Sequence, residues 1–225
     1  MIKNIYNLGD AALYCDFGDT VNKETNLKVI NYFNDIREKN ITGIKNIAPS
    51  YNKLIIYFDL ELTNYKKIKD TVENLDISNF EAAKTKIVKI PVCFDDEFAL
   101  DLERVEKKVG LGKKEIVNQL ISQKYFCYMT GFIAGMPFLG DLDENMRAQR
   151  LETPRVKVPK GSVALTEQFA NIYTFESPGG WNILGNTPLD VFDSSKEDKP
   201  NLINPGDTVI FKEITLDQYK NYNEQ

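Results

Sequence analysis

The chain has 225 residues, with 28 Lys and Arg against 33 Asp and Glu, and its formal charge of −5 leaves it without the basic balance that nucleic-acid binding demands. It contains no histidine, which excludes Ser-His and Cys-His catalysis, His-ligated zinc or haem and any imidazole relay within this chain, so that acid–base work falls to Asp, Glu, Lys, Tyr or Cys. The three cysteines form no CxxC pair, the first residues lack a signal-peptide apolar core, and no apolar run nears the ~20 residues of a membrane span, so a reduced, cytoplasmic protein is expected.

In chain order, residues 11–17 read as a strand, and Leu27, Ile30, Phe33 and Ile36 form an apolar stripe that predicts a helix over 22–39. Residues 43–48 and 53–60 read as strands joined by the turn formers Pro49-Ser-Tyr-Asn52. Tyr65, Ile68, Val72 and Leu75 step at the spacing of one buried helix face, with Thr63 or Asn64 as N-cap. A strand at 86–92 closes the unit, giving an α+β, ferredoxin-like βαββαβ domain over residues 1–92. Next, Leu102, Val105 and Val109 predict a helix ending at Gly110, and Ile116, Val117, Leu120 and Ile121 predict a second from Lys113. From Tyr125 onward short strands near 125–130, 155–158, 162–166, 171–175, 188–193 and 207–212, punctuated by Gly, Pro and Asn, suggest a β-barrel or sandwich. Residues 93–225 thus form a helical connector and a second, all-β domain.

Some motifs match chemistry only in letters. Gly110-Leu-Gly112 begins like a dinucleotide fingerprint, but Glu115 replaces the third glycine and the segment joins two helices. Ser50-Tyr-Asn-Lys53 spells the SxxK of Ser-Lys acylases inside a hairpin turn, without the companion motifs. Asp95-Asp-Glu97 and Asp141-Leu-Asp143-Glu144 offer hard oxygens but no calcium-loop continuation, and no metal site is expected.

Three stretches hold more. Gly131-Phe-Ile-Ala-Gly135-Met-Pro-Phe-Leu-Gly140 interrupts an apolar segment with three glycines and a proline, either for tight backbone packing or for close approach of a ligand. Pro154-Arg155-Val-Lys157-Val-Pro159 is a proline-framed strand whose alternation points Arg155 and Lys157 the same way, as a charged edge or as an anion clamp. Ser177-Pro-Gly-Gly-Trp181 sets two glycines between a hydroxyl and the single Trp. Glycine backbone can present N–H groups to an oxyanion with Trp181 as a wall, while a tight turn with a core Trp explains the same letters.

These stretches, with Thr153-Pro-Arg155-Val-Lys-Val-Pro159-Lys-Gly-Ser162-Val163, Ile172-Tyr173 and Leu184-Gly-Asn-Thr-Pro188, resemble the family of 5-oxoprolinase B subunits (PxpB/KipI-like), also labelled allophanate hydrolase subunit 1 or carboxyltransferase domain, subdomain C and D. Gly9-Asp10, Pro49-Ser-Tyr51 and Phe58-Asp59 extend the likeness to the N-terminal half. The resemblance implies an N-terminal α/β domain joined to a cyclophilin-like β-barrel. It also implies partners, the C and A subunits of 5-oxoprolinase, and a shared reaction in which ATP hydrolysis is coupled to opening of 5-oxo-L-proline to L-glutamate. By the same resemblance Arg155 binds a carboxylate or phosphoryl group, Ser177, Gly179 and Gly180 line the pocket, and Ser162, Tyr173 and Trp181 belong to the substrate-binding set.

The chain also departs from the family pattern. Leu165-Thr-Glu-Gln-Phe-Ala-Asn171 stands where Ile-Ala-Gly-x-Gln-Thr-Gly is usual, Ala134 and Thr174 replace prolines, Asn186 replaces an arginine, and a customary histidine before Tyr125 is missing. Two other readings follow from the resemblance: a regulatory protein that inhibits a sporulation-type histidine kinase, and a carboxyltransferase-type component acting on urea-type substrates, against which stands the lack of a biotin-carrier motif in this chain.

Overall fold

The computed structural model describes residues 2–75, 85–196 and 199–222. In its first compact unit, Met1–Thr85, the alternating and helical-period stretches become β1 (Asn4–Asn7), β2 (Ala12–Asp16), α1 (Lys23–Glu38), β3 (Ile44–Pro49), β4 (Lys53–Phe58) and α2 (Tyr65–Glu73). Asn22 caps α1 by accepting the Thr25 N–H, and Asn64 caps α2 by accepting the Lys67 N–H; each satisfies a donor that the first helical turn leaves unpaired. The sheet is antiparallel in the order β1-β2-β4-β3. Leu13, Cys15, Leu54, Ile56 and Phe58 on one sheet face pack with Val29, Ile36, Ile68 and Val72 of the helices. Those positions are spaced by two along the strands and by one or two helical turns along the helices, which is why the sequence periodicity found them.

The second unit, Lys86–Gln225, contains β5 (Ile87–Val92), α3 (Leu102–Val109), α4 (Lys113–Ser122), β6 (Tyr125–Thr130), β7 (Pro137–Gly140), β8 (Arg155–Val158), β9 (Ser162–Thr166), β10 (Phe169–Ile172), β11 (Ser177–Gly179), β12 (Asn182–Asn186), β13 (Thr208–Glu213) and α5 (Leu216–Lys220). Seven strands form one sheet in the order β12-β9-β10-β7-β6-β13-β5. Its two ends meet where Cys93 and Asn186 exchange backbone hydrogen bonds of 2.8 and 3.0 Å, so the sheet is nearly closed and fits the expected barrel. One face packs Val88, Ile90, Val92, Leu139, Leu165, Ile172, Val209 and Phe211 with Val105, Ile116, Val117 and Leu120 of the helices. The opposite face carries a two-stranded ribbon, β8 with β11.

The ferredoxin-like expectation is corrected. The strand at 86–92 does not close the first sheet: β5 runs parallel to β13 over six consecutive pairs, from Thr208 opposite Ile87 to Glu213 opposite Val92. The place beside β2 belongs to β1, reached by a short hairpin in which the Leu8 N–H donates to Ala12 O at 3.0 Å. Over its described residues the first unit is therefore ββαββα, and Val88, Ile90 and Val92 are buried in the second core. Two further strands move: the one expected at 171–175 is β10 at Phe169–Ile172, and in place of 188–193 the chain pairs at Asn182–Asn186, Phe192 making only an isolated bridge to Asn201. Gly110, in the left-handed region at φ 75°, ends α3 and turns the chain into α4.

Candidate functional site

Alternation along two strands divides the barrel wall. Val163 and Leu165 of β9 and Ala170 and Ile172 of β10 enter the main core, so Ala164, Asn171 and Tyr173 belong to the other face, the one beneath the ribbon. Asn171 lies opposite Ala164 on β9 and opposite Phe138 on β7. The ribbon crosses this face with Ser177 opposite Val158 and Gly179 opposite Arg155. Val158, Met136, Ala164, Tyr173 and Ile183 form a small core of their own, with Trp181 packed against it. The Trp181 ring meets Phe138 edge to face, 5.6 Å between centroids.

The paired glycines have a steric reason. A Cβ on Gly179 would stand 2.1 Å from the Tyr173 hydroxyl, and one on Gly180 would stand 3.0 Å from Nη2 of Arg150. Glycine at 179 is what lets the phenol come this close to the turn, while at 180 it lets the Arg150 guanidinium lie against the backbone without shifting. Tyr173 is 1% exposed, and burial pushes its hydroxyl above the ordinary range. The Trp181 backbone N–H, the Asn171 carboxamide and the positive charges of Arg150 and Arg155 pull the other way, so the hydroxyl sits in positive potential.

Arg155 takes a different part from the free anion clamp expected. Its Nη1 and Nη2 donate to Asp101 at 2.9 and 2.7 Å, and Asp101 also accepts the Ile183 N–H at 2.8 Å. The planar fork is thus closed on a carboxylate of the chain itself. Lys157 ion-pairs with Glu176 at 2.9 Å on the surface. Ser162 is buried in β9 opposite Asn186, away from the glycine turn in register, and its carbonyl accepts the Tyr173 N–H. The Ser177 hydroxyl is buried without a hydrogen-bond partner among the described residues.

The structure adds three residues that the motifs did not single out. Arg150 is exposed, lies against Gly180, and makes no hydrogen bond or ion pair among the described residues. Asn171 is fully buried; its carboxamide is near enough to the Tyr173 hydroxyl to lower its pKa, yet neither of its polar atoms meets a partner in full hydrogen-bonding geometry there. Tyr128, also buried, donates its hydroxyl to the Asp141 carboxylate at 2.9 and 3.1 Å and packs edge to face on Phe169. Nothing in spacing announces Arg150 or the Tyr128–Asp141 pair, whereas Asn171 lies in the departing segment 165–171. Among the described residues no group of three or more Asp, Glu or Cys is placed to hold a metal ion, and no helix is long and apolar enough to cross a membrane.

Comparisons with known proteins agree with this architecture. Residues 3–203 match the carboxyltransferase domain family, subdomain C and D. The Bacillus subtilis protein named as the B subunit of 5-oxoprolinase is 32% identical over an alignment of 233 positions, gaps included, which covers 98% of this chain and 97% of that one. The crystal structure of TTHA0988 superposes with a TM-score of 0.82 at 29% identity over 91% of this chain, which spans 40% of that protein's length. The Kluyveromyces lactis urea carboxylase shares the fold at a TM-score of 0.77 and 20% identity, over 96% of this chain and 22% of that one.

Proposed function

Because the chain belongs to the carboxyltransferase domain family, subdomain C and D, we propose that it is the B subunit of a cytoplasmic, ATP-dependent 5-oxoprolinase that works with C and A subunits. The reading rests on one observation above others: the likeness to the Bacillus subtilis protein runs nearly end to end in both chains. The structural likeness to urea carboxylase, at 20% identity, speaks for the fold alone.

The chemistry asks for charge stabilisation rather than for a histidine. A lactam carbon is a poor electrophile because nitrogen donates into the carbonyl. Transfer of the ATP γ-phosphoryl group to the lactam oxygen makes that carbon electrophilic; water adds and the ring C–N bond opens to leave an acyl phosphate, which a second water cleaves to L-glutamate and phosphate. Donors and cations fixed where negative charge builds lower such barriers. In this chain Arg150 supplies the unengaged guanidinium for a substrate carboxylate or a phosphoryl oxygen, beside the Gly179-Gly180 turn. Arg155, through Asp101, fixes the ribbon that holds the turn. ATP is bound in the complex.

Co-expression with the C and A subunits tests the reading. The expected result is co-purification and ATP-dependent conversion of 5-oxoproline to glutamate, lost when any one of the three is omitted. A fully assembled set without turnover would defeat it, and lowered autophosphorylation of a histidine kinase by this chain alone would favour the regulatory alternative.

A further inference from the structure

We propose that the Asn171 carboxamide recognises the cyclic amide of the substrate beneath the β8–β11 ribbon, an inference that rests on the lactam-opening reading above. Asn171 is 0% exposed, and among the described residues neither its Oδ1 nor its Nδ2 meets a partner in full hydrogen-bonding geometry, the Tyr173 hydroxyl alone lying near enough to interact with it. A buried amide so poorly paired carries much of the cost of its lost hydration, and a ligand that pairs with both atoms removes that cost. A carboxamide presents one acceptor and one donor side by side. A ring amide, held cis, presents N–H and C=O on one edge, so the two match through a pair of parallel hydrogen bonds.

The surroundings suit the rest of such a molecule. Phe138, directly across on β7, and the Trp181 ring beside it form an apolar wall for ring methylenes. Arg150 on Gly180 offers a cation to a carboxylate, and the buried Ser177 hydroxyl has hydrogen-bonding capacity to spare. Because Asn171 is sealed, entry requires the ribbon to lift. Its strands are four and three residues long and pair at only two registered positions, a far weaker association than that of the seven-stranded sheet.

The test compares 5-oxoproline with the lactone of the same shape, 5-oxotetrahydrofuran-2-carboxylate, in which ring oxygen replaces N–H. In calorimetric titrations of the assembled complex, the wild type should bind the lactam acid at least about tenfold more tightly than the lactone acid. Asn171→Leu, similarly branched though larger and without polar atoms, should erase that preference and raise KM for 5-oxoproline about tenfold or more, with a smaller change in kcat. Asn171→Ser serves as a second variant if Leu prevents folding, each variant being checked by circular dichroism. A preference that survives in either folded variant overturns the proposal, and that is the outcome if Asn171 holds only a buried water. Binding needs no turnover, so the two readings fail separately: an inactive complex with Asn171-dependent lactam preference sinks the reaction alone, an active complex with Asn171-independent preference sinks this inference alone, and a complex binding neither acid overturns both.

Discussion

Arg155 and Asp101, 54 positions apart, are joined by two hydrogen bonds of 2.7 and 2.9 Å between one guanidinium and one carboxylate. Asp101 is 4% exposed and in the same position accepts a backbone N–H from β12, so this pair ties the ribbon strand β8 to the barrel wall. Removing one partner leaves the other charge short of compensation in a poorly hydrated place, which is costlier than never having built the pair.

Arg155→Ala is accordingly expected to destabilise the protein by about 3 kcal/mol, read as a shift in the urea midpoint at unchanged slope. Arg155→Lys should recover less than half, since an ammonium cannot reproduce the fork. A double-mutant cycle with Asp101→Ala should show coupling above about 1 kcal/mol. Additive effects would mean that the two side chains do not support each other.

Gly179→Ala is expected to cost about 1–3 kcal/mol, as overpacking does, because the new methyl group would meet the Tyr173 hydroxyl at 2.1 Å. Tyr173→Phe in that background should restore part of the loss by deleting the nearest atom, while the ring carbons at 2.8 Å keep the rescue incomplete. Thermal melts of the two single variants and the double variant decide the matter.

Alkaline pH should weaken the first unit. Burial pushes the Cys15 thiol up from 9.0 to about 12 and the Tyr51 hydroxyl up from 10.0 to about 12. Above about pH 9 the unfolded chain therefore releases protons that the native chain still holds. A raised folded pKa gives stability that is whole below the unfolded value and is lost as pH climbs toward the folded one. The loss is up to about 1.4 kcal/mol per pH unit for each group. Stability from denaturant unfolding at pH 7, 9, 10 and 11 should fall along that slope, and Cys15→Ala should flatten it whatever its effect on stability at pH 7.

A cut before residue 86 is expected to leave a C-terminal fragment, 86–225, that folds alone, whereas 93–225 should not. The shorter fragment loses β5, six registered pairs with β13, and the buried Val88, Ile90 and Val92. Soluble yield and cooperative melting of the two fragments provide the measure. Equal behaviour would show that β5 adds little to that core.

Periodicity made α1, α2, α3 and α4 legible, because each buries one stripe and leaves the rest wet, and the same alternation made β2, β4 and β9 legible. What it could not show was partnership. Asn4–Asn7 is almost wholly exposed along one edge, so no apolar pattern marks it as a strand, while 86–92 alternates well and would suit either sheet. β7, β11 and β12 are rich in Gly, Pro and Asn, residues that usually signal turns. In the site, the motif around Arg155 and the Ser177–Trp181 turn do come together, opposite one another in the ribbon. The partner of Arg155 was hidden because Asp101 lies at a helix boundary and reads as an ordinary cap. Asn171 was hidden because only the three-dimensional surroundings tell whether a buried amide is satisfied.

The hairpin origin of β1 sets a timetable. Among the described residues, the four strands of the N-terminal sheet all lie within the first 58 positions, so the ribosome releases them together. β5 is made soon afterwards, yet its parallel neighbour β13 is encoded more than a hundred residues on, Ile87 waiting for Thr208, and closure over so long a loop is slow. During synthesis the nascent polypeptide therefore carries a paired leading sheet and an open trailing one. Its β5 edge stays unpaired until β13 emerges, an opening for mispairing with other strands.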